Sequence, residues 1–418
     1  MEKIKIGFYQ NNINLGGVAH YILLLIENLP AEKFDVVVYL KDPKNGESEN
    51  YLAELKKRKA RVEYIDEDGR LESIKKAPSL PSAGGSAQIS GKPLFKRFQQ
   101  MLPEVVKKFL YRSALLLRTK KFFDREQFDV FHINVGWFPQ NQLASAAAVL
   151  SGAKVKVLTV HNADAAGQKK IFTGLGFIRQ FRHVIAVSSV VRRELVEHFG
   201  FEASRVQLIY NGVRAETKET AKADARREKY GIGEGERFIL FPARVDPLKG
   251  HDVLLKALTL LDRAKTAFKI FLAGEGREEE RLKQRASKLG LDSHVIFGGY
   301  QKNIGELFRL CDFVILPSLT EGFPFVLLEA FAARKPVIAT CVGDVPKLVG
   351  EDGAGILIPP ADPRALAEEL GRLLAMNPEK LREMGEKGYE RVNRLFSFRQ
   401  MLEKTYACYE EFNPFEVS

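Results

Sequence analysis

At 418 residues, 45% hydrophobic and 28% charged, the chain has the composition of a globular protein with about two or three domains. Cys311, Cys341 and Cys408 are too few for a disulfide framework and too far apart for a CxxC metal pair, which points to a reducing cytosol. The net charge of +11 sits in one half, because residues 1–215 carry 33 Lys+Arg against 21 Asp+Glu while residues 216–418 carry 31 against 32.

Taken in chain order, strand-like and helix-like segments alternate. The opening MEKIKIGFYQN mixes charge with apolar residues, unlike a signal peptide, and its Ile4–Tyr9 portion reads as a strand. A turn with Gly16 and Gly17 leads into a helical pattern from Val18 to Asn28. Val36–Leu40, a helix over 49–59 and the strand Arg61–Ile65 follow. Residues 76–93 lose the pattern to small residues and prolines, and read as a mobile loop. Residues 92–121 hold nine basic residues and one acid, Glu104, with apolar residues at near-helical spacing broken by Pro103. Two readings stay open here: a surface helix with its apolar stripe in the core, or a basic amphipathic helix lying on an acidic membrane. No nucleic-acid-binding motif accompanies the basic residues, and no apolar run reaches the roughly 18 residues needed to span a bilayer.

The strands Val130–Ile133, Val155–Val160 and Val184–Val187 are nearly all apolar, as in a parallel sheet covered on both faces. Residues 215–235 read as an interdomain connection with a short helix. A second unit then repeats the rhythm, with strands at Phe238–Phe241, Lys269–Ala273, Val295–Phe297, Phe313–Leu316, Val337–Thr340 and Gly355–Ile358. Helices are expected over 250–261, 277–289, 303–310, 324–334, 363–375, 378–393 and 397–412. The fold class is therefore α/β: two Rossmann-like, doubly wound parallel-sheet domains facing across a cleft, with ligands at the C-terminal ends of the strands.

The loops after those strands carry the chemistry. Gly16-Gly17 is either a plain turn or a place where backbone N–H groups approach an anion. His161 ends a strand, as a structural group or as a hydrogen-bonding or acid/base group. Arg244 and Lys249 lie five apart ahead of a helix, as two solvated charges or as a fork and a point charge converging on a diphosphate. Glu275 sits in a Gly-Glu-Gly turn. The stretch TEGFPFVLLEA, residues 320–330, places Glu321 before a turn and Glu329 in an apolar run. A carboxylate buried without a partner is expensive. A helix starting near Gly322–Val326 offers free N–H groups to phosphate oxygens. Glu329, about two turns on, can then accept from a ribose diol.

In order along the chain, Gly16-Gly17, His161, Tyr210-Asn211-Gly212-Val213, Arg244…Lys249-Gly250, Ala273-Gly274-Glu275-Gly276, Glu321-x7-Glu329 and Asp352-Gly353…Gly355…Pro359-Pro360 resemble the retaining glycosyltransferases of the GT-B fold, family 4. The resemblance implies an N-terminal acceptor-side domain over 1–213, rejoined by a C-terminal helix about 395–418, and a nucleotide-sugar domain over 214–394. It implies a metal-independent hexosyltransferase, without cofactor, that moves a sugar from a nucleotide-sugar donor, a UDP-sugar ahead of a GDP-sugar. The acceptor implied is a glycan or lipid-linked hydroxyl in cell-surface polysaccharide synthesis, at the inner face of the membrane. Arg244 and Lys249 would hold the diphosphate, and Gly16 and Gly17 would approach it from the other domain. Glu321 and His161 would lie at the donor sugar. Gly322, Phe323, Pro324, Phe325 and Val326 would supply backbone donors, Glu329 would bind the ribose, and Glu275, Tyr300 and Gln301 would complete the donor pocket.

The chain departs from the family pattern twice. Gly343-Asp344-Val345-Pro346-Lys347 stands where Gly-Gly-x-Pro-Glu is usual, and Asn162 stands where an acid is usual. Other readings on the same fold are a nucleotide-sugar epimerase, a soluble glucan synthase and a non-catalytic nucleotide-sugar-binding protein.

Overall fold

The computed structural model describes residues 2–10, 17–41, 49–65, 71–72, 104–138, 142–163, 176–214, 227–262 and 267–416. Gly16, the expected mobile loop at 76–93 and the first part of the basic segment, 92–103, lie outside the described residues.

The first sheet has eight strands. They are β1 (Ile4–Gln10), β2 (Phe34–Lys41), β3 (Arg61–Ile65), β4 (Leu71–Glu72), β5 (Val130–Val135), β6 (Val155–Val160), β7 (His183–Ala186) and β8 (Val206–Leu208). Their spatial order is β4-β3-β2-β1-β5-β6-β7-β8, parallel except for β4. The second sheet holds β9 (Arg237–Pro242), β10 (Phe268–Ala273), β11 (Val295–Gly299), β12 (Phe313–Leu316), β13 (Val337–Thr340) and β14 (Gly355–Ile358). Its order is β11-β10-β9-β12-β13-β14, all parallel. Each order reverses direction once, between β1 and β5 and between β9 and β12. At such switch points the connections diverge to opposite faces and leave a crevice beyond the strand ends.

Helices among the described residues are α1 (Gly17–Glu27), α2 (Glu49–Lys57), α3 (Glu104–Asp124), α4 (Gln142–Leu150), α5 (Ser189–Arg193), α6 (His251–Leu260), α7 (Glu279–Lys288), α8 (Ile304–Leu310), α9 (Phe325–Ala332), α10 (Val345–Val349), α11 (Pro363–Leu374), α12 (Pro378–Leu395) and α13 (Phe398–Ala407). Local chemistry sets many of their ends. Asp362 caps α11 by accepting from Arg364 N at 2.9 Å, and Asn377 caps α12 by accepting from Glu379 N at 2.8 Å, each with proline at the next position. The core of each domain is the covered sheet: every residue of β5, β12 and β13 is buried.

Two chain crossings join the domains side by side. Val213 donates to Phe396 O at 3.2 Å and Phe398 donates to Val213 O at 3.1 Å. After the second crossing, α13 packs on the first domain: Tyr406 Oη donates to Leu25 O at 2.5 Å, and Tyr409 Oη lies 2.9 Å from His132 Nδ1. Paired crossings of this kind have the geometry of a hinge.

Candidate active site

The cleft is built from loops that leave the switch-point strands. After β9, Asp246 caps a 3₁₀ turn over Pro247–Lys249 by accepting from Leu248 N at 2.9 Å. The turn ends at Gly250 with φ 78°, and a Cβ there would lie 1.9 Å from Pro317 O. Only glycine fits, and its absence of a side chain presses the Lys249 turn onto the loop after β12. The consequence is a defined pair: Lys249 Nζ donates to Glu321 Oε1 at 2.7 Å, and Ser318 Oγ donates to the same oxygen at 2.7 Å. Glu321 is 10% exposed and Lys249 23%, so this pair is shielded from bulk water on most sides. Arg244 is half exposed and, among the described residues, reaches Asp246 at 3.8 Å. Its guanidinium stays free to swing toward a ligand at the mouth of the cleft.

The β10 loop packs alongside, with Val245 N donating to Glu275 O at 2.9 Å. Glu275 Oε1 in turn accepts from Tyr300 N at 3.2 Å, and Gln301 Nε2 donates to Gly298 O at 2.5 Å. Glu275, Tyr300 and Gln301 thus form one wall. Desolvation, the larger cause, and the nearby carboxylates of Glu54 and Glu275 raise the Tyr300 phenol above its ordinary pKa.

The helix expected from 324 begins at Phe325, with Pro324 as its cap residue in extended backbone. Phe323 is buried against Tyr210 and Phe396, at ring-centroid distances of 4.6 and 5.0 Å. Asn211 Nδ2 donates to Phe323 O at 2.7 Å. Val326 is partly buried against the core. Gly322 meets the other domain, since a Cβ on it would lie 2.2 Å from His161 O. Gly17, the first residue of α1, is in van der Waals reach of the Phe325 ring, 3.6 Å from a Cβ built on it. Two helix N-termini from opposite domains therefore meet, one turn away from Lys249's partner loop. Glu329, on the next turn of α9, lies 3.7 Å from His20 Nε2 of α1, which places its carboxylate at the domain junction.

The first domain's side is different in character. His161 is buried, its ring edge-on to Tyr21 at 5.0 Å, and its Nε2 has no hydrogen-bond partner. Burial pushes its pKa down to about 3, so the imidazole is neutral at pH 7. His132 is also buried and neutral, brought to about 3 by desolvation and then by His161. Its Nε2 lies 2.7 Å from Thr159 Oγ1. Asn134, two residues on and in register with Gln10 and Thr159, is fully buried with both amide atoms unpartnered. Asn162 turns inward and accepts from Ala163 N at 2.9 Å. Among the described residues, no group of three or more His, Cys, Asp or Glu is placed to hold a metal ion.

Sequence reasoning passed over His132, Asn134, Ser318 and the role of the 343–347 loop. The first two were legible as polar residues at alternate positions in an otherwise apolar strand. Ser318 lies three residues from its partner Glu321 with nothing in the local pattern to mark the pairing, and the 343–347 loop showed only its departure from the family pattern, because Asp344's partner Ser189 lies far off in the chain.

With this geometry, comparisons with known proteins decide the family. Residues 15–217 match Glycosyltransferase Family 4, and residues 222–391 match Glycosyl transferases group 1. The chain is 30% identical over 302 residues to the glycosyltransferase MJ1178 of Methanocaldococcus jannaschii, covering 70% of this chain and 78% of that protein. The chain belongs to glycosyltransferase family 4. It is also 28% identical over 284 residues to a D-inositol 3-phosphate glycosyltransferase of Segniliparus rotundus, covering 66% of this chain but only 63% of that relative's length. In fold it matches Anabaena Alr3699/HepE, crystallised with UDP and glucose, at a TM-score of 0.72 and 19% identity, covering 97% and 98% of the two chains. The GT-B architecture read from the sequence is thus the fold of this family member. No helix among the described residues is long and apolar enough to cross a membrane.

Proposed function

We propose that this family member transfers a hexosyl residue, with retention, from a UDP-sugar to a hydroxyl of a glycan or lipid-linked acceptor in cell-surface polysaccharide synthesis. The observation that carries the reading is the meeting of the α1 and α9 N-termini beside the Lys249–Glu321 pair. Helix N-termini present unpaired N–H groups and a partial positive charge, and a diphosphate fits between two of them better than any neutral ligand. The presence of UDP and glucose in the Anabaena structure supports the same class of donor.

In the proposed reaction the acceptor oxygen forms a bond to the anomeric carbon on the face from which the diphosphate leaves. The old carbon–oxygen bond gives its electron pair to the phosphate, whose oxygen takes the acceptor's proton. The protein's share is to neutralise the charge growing on the diphosphate, through Lys249, Arg244 and the backbone N–H groups of Gly322–Val326. Glu321 holds the Lys249 ammonium in place. Glu329 accepts from the ribose, and Glu275, Tyr300 and Gln301 flank the base. The neutral His161 donates or accepts a hydrogen bond at the sugar. No resident metal or cofactor is part of this scheme.

An acidic membrane is the proposed neighbour of the basic first domain. Helix α3 turns Leu117, 63% exposed, to solvent beside the exposed Arg118 and Lys121. An apolar side chain flanked by cations is the pattern of an interfacial helix. Flotation with anionic vesicles, weakened in an Arg118→Glu/Lys121→Glu variant, tests this part.

A thermal-shift screen against UDP-, GDP- and ADP-sugars tests the donor, since a ligand that binds only the folded chain raises its melting temperature. A UDP-sugar is expected to give the largest shift. Release of UDP only when an acceptor is supplied separates a transferase from an epimerase or a binding protein.

A further inference from the structure

The loop after β13 departs from the family's sequence pattern at Asp344 and Lys347, and it also ties the two domains together. Gly343 turns with φ 55°, and a Cβ on it would lie 2.0 Å from Glu321 O. Asp344 N donates to Gly322 O at 3.3 Å. The 343–344 turn is therefore stacked, backbone on backbone, against the stretch that carries Glu321 and the start of the donor loop.

The other side of the same turn grips the first domain. Asp344 is 4% exposed, and both its carboxylate oxygens are taken by one residue of α5: Oδ2 accepts from Ser189 N at 2.6 Å, and Oδ1 accepts from Ser189 Oγ at 2.7 Å. Lys347 Nζ, one turn further along α10, donates to Ser189 Oγ at 3.1 Å and to Tyr210 Oη at 3.2 Å. Tyr210 packs against Phe323, its ring tilted 40° to it, next to the crossing between domains.

We infer that Asp344 and Lys347 are positioning residues that couple closure of the cleft to placement of the donor loop. Charge-assisted hydrogen bonds of this length exist only while the domains are closed. They are lost on opening, because Ser189 moves with the first domain and Asp344 with the second. A closed cleft then fixes Gly322 from two sides, by His161 O and by Asp344 N, and holds Glu321 where it engages Lys249. The backbone N–H groups of the donor loop reach their working positions only in that state. The two residues bond across the domains instead of lining the proposed donor pocket, so they act on turnover through the closed population; on opening, the nucleotide keeps its second-domain contacts and loses the one from α1.

This inference rests on the proposed transferase reading for its kinetic consequence, though its conformational consequence stands apart. The experiment compares the unsubstituted chain with Asp344→Ala, Asp344→Asn and Ser189→Ala. The first readout is the distance between spin labels at positions 56 and 288, in a Cys341→Ser background. The second is UDP affinity by calorimetry, and the third is turnover of UDP-glucose. The expected result is a single short distance in the unsubstituted chain and a broader, longer distribution in Asp344→Ala. UDP affinity should fall by only a few-fold, through loss of the α1 contact, while turnover falls about ten-fold or more. Asp344→Asn keeps one acceptor and recovers part of the loss. Ser189→Ala keeps the backbone donor and loses about three-fold. An Asp344→Ala distance distribution matching that of the unsubstituted chain overturns the coupling, and so does a loss of UDP affinity as large as the loss of turnover. No turnover of UDP-glucose by the unsubstituted chain counts against the donor reading, while the label distances still decide the coupling.

Discussion

The two sides of the cleft are finished to different degrees. On the second domain's side the groups at the centre of the cleft have partners: Lys249 with Glu321, Ser318 with Glu321, and Glu275 with the backbone of Tyr300. On the first domain's side, the Asn134 amide and His161 Nε2 are buried with none. A buried unpaired polar atom costs about 1–3 kcal/mol, an expense carried in the second domain by the His251 ring and in the first by the Asn134 amide and His161 Nε2. The difference fits a division of labour. On the proposed reading the second domain is preorganised around one constant group, a diphosphate, whereas the first keeps polar groups in reserve at the floor beneath α1.

Four measurements break or sharpen that contrast, the largest effect first. His132 and His161 in the first domain are held near pKa 3 by burial, and His251 in the second is lowered to about 4, also by desolvation first. The unfolded chain takes protons on these groups below about 6.5, while the folded chain stays neutral there. Stability is therefore complete above that value and lost as pH falls. The loss by pH 5 is about 2 kcal/mol per histidine. Urea unfolding at pH 7 and pH 5 should show it, with His251→Gln removing about 2 kcal/mol of the loss, and equal stability at the two values would contradict the neutral, buried state.

Lys249→Ala comes next. It removes a charge facing the leaving group and leaves Glu321 without its cation, so kcat/KM should fall by about 2–4 kcal/mol of transition-state stabilisation. Arg244→Ala should cost less, because Arg244 lies further out. Steady-state kinetics with the donor found by thermal shift checks both, and full activity in either would remove that residue from the diphosphate site. Glu329→Ala should raise the donor KM by about ten-fold with kcat nearly unchanged. An unchanged KM would make Glu329 a structural contact of His20.

The smallest effect is on the unfinished side. Asn134→Leu replaces an unpartnered amide with a side chain of similar size, and should raise stability by about 1 kcal/mol in thermal or urea unfolding. A loss would show that the amide is satisfied by a buried water.

How much of this was legible without coordinates follows the same divide. The strands of the second unit are found within about two residues of their expected ends, because each is an apolar run bounded by turn residues. Lys249 and Glu321 were readable as strand-end loop residues. Their pairing was not, since it depends on Gly250 fitting against Pro317 in the distant loop after β12. Short β8, Val206–Leu208, and α10, Val345–Val349, were missed, being too brief to show a period. The Asp344–Ser189 contact joins positions 155 residues apart and leaves no trace in local sequence beyond a departure from the family pattern.

The central claim is that a diphosphate is gripped where α1 and α9 meet beside Lys249. Calorimetric titration with UDP, GDP and ADP alongside uridine, guanosine and adenosine tests it directly. The account predicts that one diphosphate binds at least about 100-fold more tightly than its nucleoside, and that most of this gap closes in Lys249→Ala. Equal affinity for nucleotide and nucleoside, or a gap untouched by the substitution, would contradict it.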